Sequence, residues 1–87
     1  MNDQAHFFLG VAYKEKGIFD QAAKEFERSL QINSSLADAH EELGMIYYRK
    51  LKNNEKAIYH FEKLLSIKPN HPKADQILDI INMLKKQ

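Results

Sequence analysis

The sequence contains no cysteine, so disulfide bonds and thiolate metal ligands are excluded. Only three glycines occur, far apart, and a glycine-rich nucleotide loop is therefore absent. Neither sign of charge dominates, because 13 basic residues nearly balance 12 acidic ones, and no basic stripe for nucleic acid is expected. No hydrophobic run approaches the roughly 18 residues of a membrane-spanning helix. We therefore expect a soluble, cytoplasmic protein with no cofactor, nucleic-acid, membrane or small-molecule ligand.

An internal repeat is the main feature that the sequence does contain. Six residues of the first half return in the second half at an offset of 34 or 35 positions: Leu9, Gly10, Tyr13, Ala22, Phe26 and Leu30 return as Leu43, Gly44, Tyr47, Ala57, Phe61 and Leu65. The offset changes within LKNN, where one extra residue lengthens a loop at little cost. A repeat of this period indicates stacked supersecondary units rather than a single unrepeated fold.

Hydrophobic spacing predicts two helices in each copy and a fifth helix after them. The first helix should run from about Asp3 to Lys16 and end at Gly17 in a left-handed conformation. The next three should begin at Asp20, at a capping box of Ser35 and Asp38, and at Asn53 or Asn54. Pro72 should lie in the first turn of the fifth helix.

Each helix has a stripe of residues that should face the core. In chain order these are Phe8, Leu9, Ala12 and Tyr13; Ala22, Ala23, Phe26, Leu30 and Ile32; Leu43, Ile46 and Tyr47; Ala57, Ile58, Phe61, Leu64 and Leu65; and Ala74, Ile77, Leu78, Ile81 and Leu84. Gly10 opposite Ala22, and Gly44 opposite Ala57, should let the paired helices approach closely.

The pattern L-G-x-x-Y followed by A-x-x-x-F resembles the tetratricopeptide repeat family, whose unit has 34 residues. The resemblance covers nearly the whole chain, with residues 3–36 as repeat 1, residues 37–71 as repeat 2 and residues 72–86 as a capping helix within a single domain, 1–87. It implies an all-α, right-handed array of five helices in antiparallel hairpins. His6 and His40 depart from the family pattern, since tryptophan often stands there.

The resemblance also implies a non-catalytic module that binds a peptide or helix of another protein in a groove lined by the first helix of each repeat and by the cap. Carried onto this sequence, the groove positions are Gln4, Phe7, Val11, Lys14, Asp38, Glu41, Met45, Tyr48, Arg49, Lys73, Gln76, Ile80 and Met83. Their i, i+4, i+7 spacing places them on common helix faces. Two alternatives stay open: some of these residues only widen the core, or the chain self-associates or belongs to a longer repeat array.

Catalytic and metal sites are not expected. The four histidines (His6, His40, His60 and His71) form no i, i+4 pair, whereas a closed zinc site needs about four converging ligands. No serine stands in a recognisable nucleophile motif. We therefore predict no enzymatic activity, and we expect His6 and His40 to cover the helix seam as half-buried rings.

Overall fold

The computed structural model describes residues 2–87, which form five α-helices and no strand. The helices are α1 (Asp3–Glu15), α2 (Phe19–Ile32), α3 (Ala37–Arg49), α4 (Asn54–Ile67) and α5 (Ala74–Lys85). Each helix packs on the next, and three to six residues connect them, so α1–α2 and α3–α4 are antiparallel hairpins. The all-α repeat architecture expected from the sequence is confirmed. None of these helices is long and apolar enough to cross a membrane.

Two helix starts and one helix end follow the sequence closely. The Asn2 side chain accepts a hydrogen bond from the Ala5 backbone N–H at 2.8 Å and caps α1. The Asn53 side chain accepts one from the Lys56 N–H at 3.1 Å and caps α4, as predicted. Gly17 has φ +76° after α1, the left-handed conformation that glycine adopts without a steric penalty.

The predicted starts of α2 and α3 are wrong. Asp20 lies inside the first turn of α2, because the Ile18 N–H bonds the Tyr13 carbonyl at 2.9 Å and closes the connecting turn earlier. No side chain caps α3, and the capping box predicted at Ser35 does not form. The Ser35 N–H instead donates to the Asn33 side chain at 3.1 Å, so an Asx turn within the loop uses the local side-chain acceptor.

The predicted position of Pro72 in the first turn of α5 is wrong, and in the α3–α4 loop a lysine takes the place of a glycine. Pro72 precedes α5 and is not part of it, because hydrogen bonds from the Lys73 and Ala74 N–H groups to His71 hold a separate turn there. In the longer α3–α4 loop, Lys52 has φ 54° and is the only non-glycine residue with positive φ in the described chain. The inserted loop therefore places a lysine in a conformation that the first repeat gives to glycine.

The core consists of the seams between neighbouring helices, with Phe26 and Phe61 fully buried at the two hairpin seams. A Cβ atom placed on Gly10 would lie 2.9 Å from ring atoms of Phe26. On Gly44 it would lie 2.6 Å from ring atoms of Phe61. The glycines therefore permit close approach as predicted, but the group packed on each of them is a phenylalanine ring.

Four residues predicted to face the core are exposed: Phe8 is 66% exposed, Ile32 53% and Leu78 46%, and Ala12 is exposed as well. No helix in the described chain packs on the outer face of α1 or of α5, so Phe8 and Leu78 remain uncovered. Ile32 is the last residue of α2, beyond the last turn that α3 covers. The prediction for these four residues is wrong because a hydrophobic residue is buried only where a neighbouring helix reaches it.

Candidate functional site

Three neighbouring depressions lie along the face formed by α1, α3 and α5. The first is lined by Gln4, Phe7, Phe8, Leu36 and Asp38, the second by Phe7, Asp38, Glu41, Glu42, Met45 and Lys73, and the third by Glu41, Met45, Arg49, Phe61, Lys73, Gln76, Ile77 and Ile80. Each shares at least two lining residues with the next, so they form one continuous surface, which we call the groove.

Nine of the thirteen residues predicted for binding line the groove: Gln4, Phe7, Asp38, Glu41, Met45, Arg49, Lys73, Gln76 and Ile80. The other four line none of the three depressions. Of these, Val11 and Tyr48 are half-buried and pack against the core, Lys14 is half-buried in an ion pair, and Met83 is 42% exposed on α5. The sequence missed Phe8, Leu36 and Glu42 as groove residues, and also Phe61 and Ile77, which it assigned to the core alone.

The floor of the groove is apolar and continuous with the core. Phe7, Met45 and Ile80 are half-buried, pack against buried core residues and also line the groove. The Phe7 ring meets the buried Phe26 ring edge to face, with 5.3 Å between centroids. Phe7 is thus held by the core on one side and presents its other side to the groove, so the groove and core interpretations of this residue are compatible.

The size of the third depression restricts its occupant. Its volume is about 110 Å³, well below the roughly 300–1,000 Å³ of small-molecule pockets. Met45, Ile77 and Ile80 supply apolar walls, while Glu41, Arg49 and Lys73 surround them. The small volume and apolar walls of this depression match a single apolar side chain.

Ion pairs hold the middle of the groove. Lys14 Nζ of α1 lies 2.9 Å and 3.0 Å from the two carboxylate oxygens of Glu42 on α3. Glu41 lies 3.2 Å from His71 Nε2 and 3.9 Å from Lys73 Nζ, which joins α3 to the α4–α5 loop. These contacts link the elements on either side of the groove and fix their spacing, although exposed pairs add little stability.

The two ends of α3 carry charges of opposite sign. Asp38 and Arg49 are exposed, line the groove and form no ion pair with any residue in the range 2–87. They are eleven positions apart, which corresponds to about 16 Å along a helix. The groove therefore has an acidic end and a basic end available to a ligand.

A second polar arrangement lies in the hairpin seams, and the sequence interpretation missed it. In repeat 1, His6 Nδ1 lies 2.8 Å from the buried carboxylate of Glu25, which also pairs with Arg28 at 2.7 Å. In repeat 2, His40 Nδ1 lies 3.0 Å from His60 Nδ1. His6 is half-buried as predicted, whereas His40 is only 4% exposed. The repeat offset was the available signal, since His60 occupies the position of Glu25.

Glu27 and Tyr47 complete the arrangement in repeat 2. The Tyr47 hydroxyl donates to Glu27 Oε2 at 3.1 Å, and His60 Nε2 lies 3.3 Å from the same oxygen. The hydrogen bond with His60 lowers the pKa of Glu27, against the opposing effect of burial. Burial, with the adjacent Glu27 carboxylate, raises the pKa of Tyr47 to about 12. Burial lowers the pKa of His40 from its ordinary value.

These side chains do not make a closed metal site. Within residues 2–87 there is no group of three or more histidine, cysteine, aspartate or glutamate side chains that could hold a metal ion. No buried side-chain nitrogen or oxygen in the same residues lacks a hydrogen-bond partner. The seam polar groups thus satisfy one another.

Comparison with known proteins identifies the repeat independently. A family model described as "TPR repeat" matches residues 10–50, and one described as "Tetratricopeptide repeat" matches residues 37–71. Together the matches extend from α1 through the end of α4 and include the middle of the groove. No curated protein matches the chain significantly.

Proposed function

Because the chain belongs to the tetratricopeptide repeat family, we propose that it is a non-catalytic module that binds a peptide or helix of a partner protein in the groove. Members of this family generally mediate protein–protein interactions. The proposal assigns the interaction to α1, α3 and α5, with residues 3–36, 37–71 and 72–86 acting as two repeats and a cap in one domain.

The observation that carries the proposal is the continuity of the groove across three helices that are distant in sequence. Residues from positions 4 to 80 line one surface with an apolar floor and charged ends. Extended peptides and amphipathic helices bind such surfaces through apolar anchors in depressions, surrounded by a polar rim. A depression of about 110 Å³ between α3 and α5 suits one of these anchors.

Met45 supports a flexible binding surface. It lines two of the three depressions and is half-buried, so its side chain meets both the core and any bound ligand. Methionine adapts its shape readily because its side chain is unbranched and polarisable. We expect affinity to come mainly from anchors packed on Met45, Phe7 and Ile80, while Asp38 and Arg49 set the direction of the bound segment.

The test uses a peptide selected from a random library for binding to the parent chain. Met45→Glu and Ile80→Glu place a charge on the floor of the groove and should weaken binding of that peptide at least about tenfold. Tyr59→Glu is the matched control, because Tyr59 is 53% exposed on α4 and lies outside the groove. Affinities are measured by titration calorimetry on variants whose helical content matches that of the parent.

Two results would reject this assignment. One is a selected peptide whose affinity is unchanged by both groove variants. The other is a peptide that loses affinity only with Tyr59→Glu, which would move the interaction to the outer surface of α4. The predicted contribution of Tyr48 is tested in the same series, since Tyr48→Ala should leave the chain folded, whereas Tyr47→Ala removes a buried ring and should unfold it.

A second candidate is self-association, which the outer face of α1 favours. Ala12 is exposed, although the equivalent Ile46 of α3 is only 3% exposed beneath α2. Leu9 is half-buried, whereas the equivalent Leu43 is fully buried. The face that α3 buries against α2 is therefore uncovered in α1. Sedimentation velocity distinguishes the candidates, since a concentration-dependent dimer supports self-association and a monomer leaves the groove for another protein.

A further inference from the structure

The buried histidine pair of repeat 2 can be analysed by counting protons. His40 and His60 are 4% and 3% exposed, so water does not surround either ring. Three contacts involve their ring nitrogens: His40 Nε2 with the Ser34 carbonyl at 3.2 Å, His40 Nδ1 with His60 Nδ1 at 3.0 Å, and His60 Nε2 with Glu27 Oε2 at 3.3 Å. Each contact is a hydrogen bond only if a proton lies between its two atoms.

Two of the three contacts fix a ring proton. The Ser34 carbonyl can only accept, so His40 must carry its proton on Nε2. The Glu27 carboxylate also only accepts, because its lowered pKa keeps it ionised and the Tyr47 hydroxyl already donates to it. His60 must therefore carry a proton on Nε2 as well. Two neutral rings would then point bare Nδ1 atoms at each other across 3.0 Å.

We propose that His40 and His60 form a proton-binding site, in which one further proton from solvent is held between the two Nδ1 atoms and the pair carries a single positive charge. With this proton, all three contacts are hydrogen bonds and the charge lies next to the Glu27 carboxylate. The site joins α2, the α2–α3 loop, α3 and α4, so its occupancy affects the connection between the two repeats.

The first repeat supports this assignment. At the equivalent positions, His6 Nδ1 meets the Glu25 carboxylate at 2.8 Å. The contact in repeat 1 thus pairs a ring nitrogen with a fixed negative charge. Repeat 2 places His60 where Glu25 stands, and two imidazoles can make the same Nδ1 contact only by sharing a proton. The two seams have equivalent geometry with different charge.

The groups around the pair are consistent with one added charge and not two. Glu27 on α2 is the nearby anion, and Tyr47 on α3 stacks on the His60 ring at 5.9 Å between centroids. The facing cations are Lys63 and Lys56, both on α4, and Tyr59 of α4 meets His60 edge to face. The 3.0 Å between the two Nδ1 atoms leaves room for one proton only. Burial lowers the pKa of His40, while the hydrogen bond to the Ser34 carbonyl and the Glu27 carboxylate act against that effect. The pair also lines an open surface depression, so solvent protons reach it.

The proposal predicts how stability changes with pH. Above the ordinary histidine pKa of about 6.5, His40 and His60 of the unfolded chain have lost their extra protons. The folded pair still holds its shared proton there, so the folded state binds one proton more than the unfolded state. Stability from this site is therefore present at neutral pH and is lost as pH rises and the shared proton leaves. Below pH 6.5, both histidines of the unfolded chain take up protons, whereas the folded pair holds only the shared one, so stability also falls on that side.

Nitrogen-15 NMR of the full chain at pH 7 is the direct test. Two-bond ¹H–¹⁵N spectra should show a proton on Nε2 of both His40 and His60, and one additional proton shared by their Nδ1 atoms. As pH rises, both Nδ1 signals should move together to the values of bare nitrogens. A neutral ring with its proton on Nδ1 and a bare Nε2 in either residue at pH 7 would overturn the proposal.

The second measurement compares unfolding of variants in urea between pH 6 and pH 9. In the parent chain, loss of the shared proton as pH rises should raise the unfolding equilibrium constant by up to about tenfold per pH unit. His60→Gln supplies fixed amide hydrogens to His40 and Glu27, so this variant should fold. It should lack the part of the pH dependence of unfolding that comes from the shared proton. His71→Gln removes a histidine outside the seam and should keep the same pH dependence of unfolding as the parent chain. Equal slopes in His60→Gln and the parent chain would contradict a shared proton.

Discussion

Replacement of Gly44 by alanine tests the closest contact in the fold. A Cβ at this position would lie 2.6 Å from Cδ1 and Cε1 of Phe61, whereas ordinary contacts begin at 3.4 Å. The ring must therefore move by about 0.8 Å, and Phe61 is a fully buried seam residue whose nearest open space is the third depression of the groove. We expect overpacking to cost about 1 to 3 kcal/mol, partly offset by about 1 kcal/mol from the better helix propensity of alanine.

The net loss should be up to about 2 kcal/mol, and Gly44→Leu should lose more. Gly10→Ala is the matched comparison, because its Cβ would lie 2.9 Å from Phe26 and the ring needs to move less. Stability is measured by urea unfolding followed by far-UV circular dichroism. Shortening the ring with Phe61→Leu should reduce the cost of Gly44→Ala, which a double-mutant cycle detects. The reasoning fails if Gly44→Ala is more stable than the parent chain, or if it loses less than Gly10→Ala.

Three further predictions concern two loops and an ion pair. Lys52→Gly should raise the melting temperature, because Lys52 has φ 54° and a left-handed conformation costs a non-glycine residue about 1 to 2 kcal/mol. Gly17→Ala should lower the melting temperature through backbone strain alone, because Gly17 has φ +76° and a Cβ there would meet no atom within 4 Å. Because the pKa of Glu27 is lowered, its contribution to stability is present above pH 4.5 and is lost as pH falls below that value. Glu27→Gln lacks this contribution, so urea unfolding should show a smaller loss of stability between pH 5 and pH 3 in this variant than in the parent chain.

The helices and their hairpin seams could be predicted because the same residues recur at a fixed offset. Phe26 and Phe61 are both fully buried, and Gly10 and Gly44 both lie beneath a ring. Two copies of one pattern constrain each other, so an error in one copy is exposed by the other. Phe8 illustrates this point, because its equivalent is the polar Glu42, and this comparison alone indicates an exposed position.

The starts of α2, α3 and α5 could not be predicted from single residues. A capping side chain competes with every other acceptor in a short loop, and the outcome depends on backbone angles that the sequence does not specify. The sequence interpretation made Ser35 the capping side chain of the α2–α3 loop. In the structure, the side-chain acceptor in this loop is that of Asn33. Asp20 is a plausible cap by residue type, but the turn after α1 closes two residues earlier.

The groove could be predicted only in part, and the repeat explains which part. Gln4 and Phe7 are equivalent to Asp38 and Glu41, and all four line the groove. Lys14 and Tyr48 are also equivalent, and neither lines any of the three depressions. Equivalent residues thus agree within each pair. Val11 and Met45 differ because the side chain of methionine is longer and reaches the depressions from a similar backbone position.

The seam of repeat 2 and the groove meet on α3, and this has a physical consequence. His40 and Glu41 are adjacent in sequence but face different neighbours, since His40 meets His60 of α4 and Glu41 meets His71 and Lys73 at the groove. A single regular helix of 13 residues moves nearly as a rigid body, so a change in the His40 contact shifts Glu41 and Met45 together. Repeat 1 has no such coupling to a proton shared by two rings, because the partner of His6 is the carboxylate of Glu25. Any effect of the shared proton on ligand binding should therefore be concentrated at the α3–α5 end of the groove and be weak at the end formed by α1.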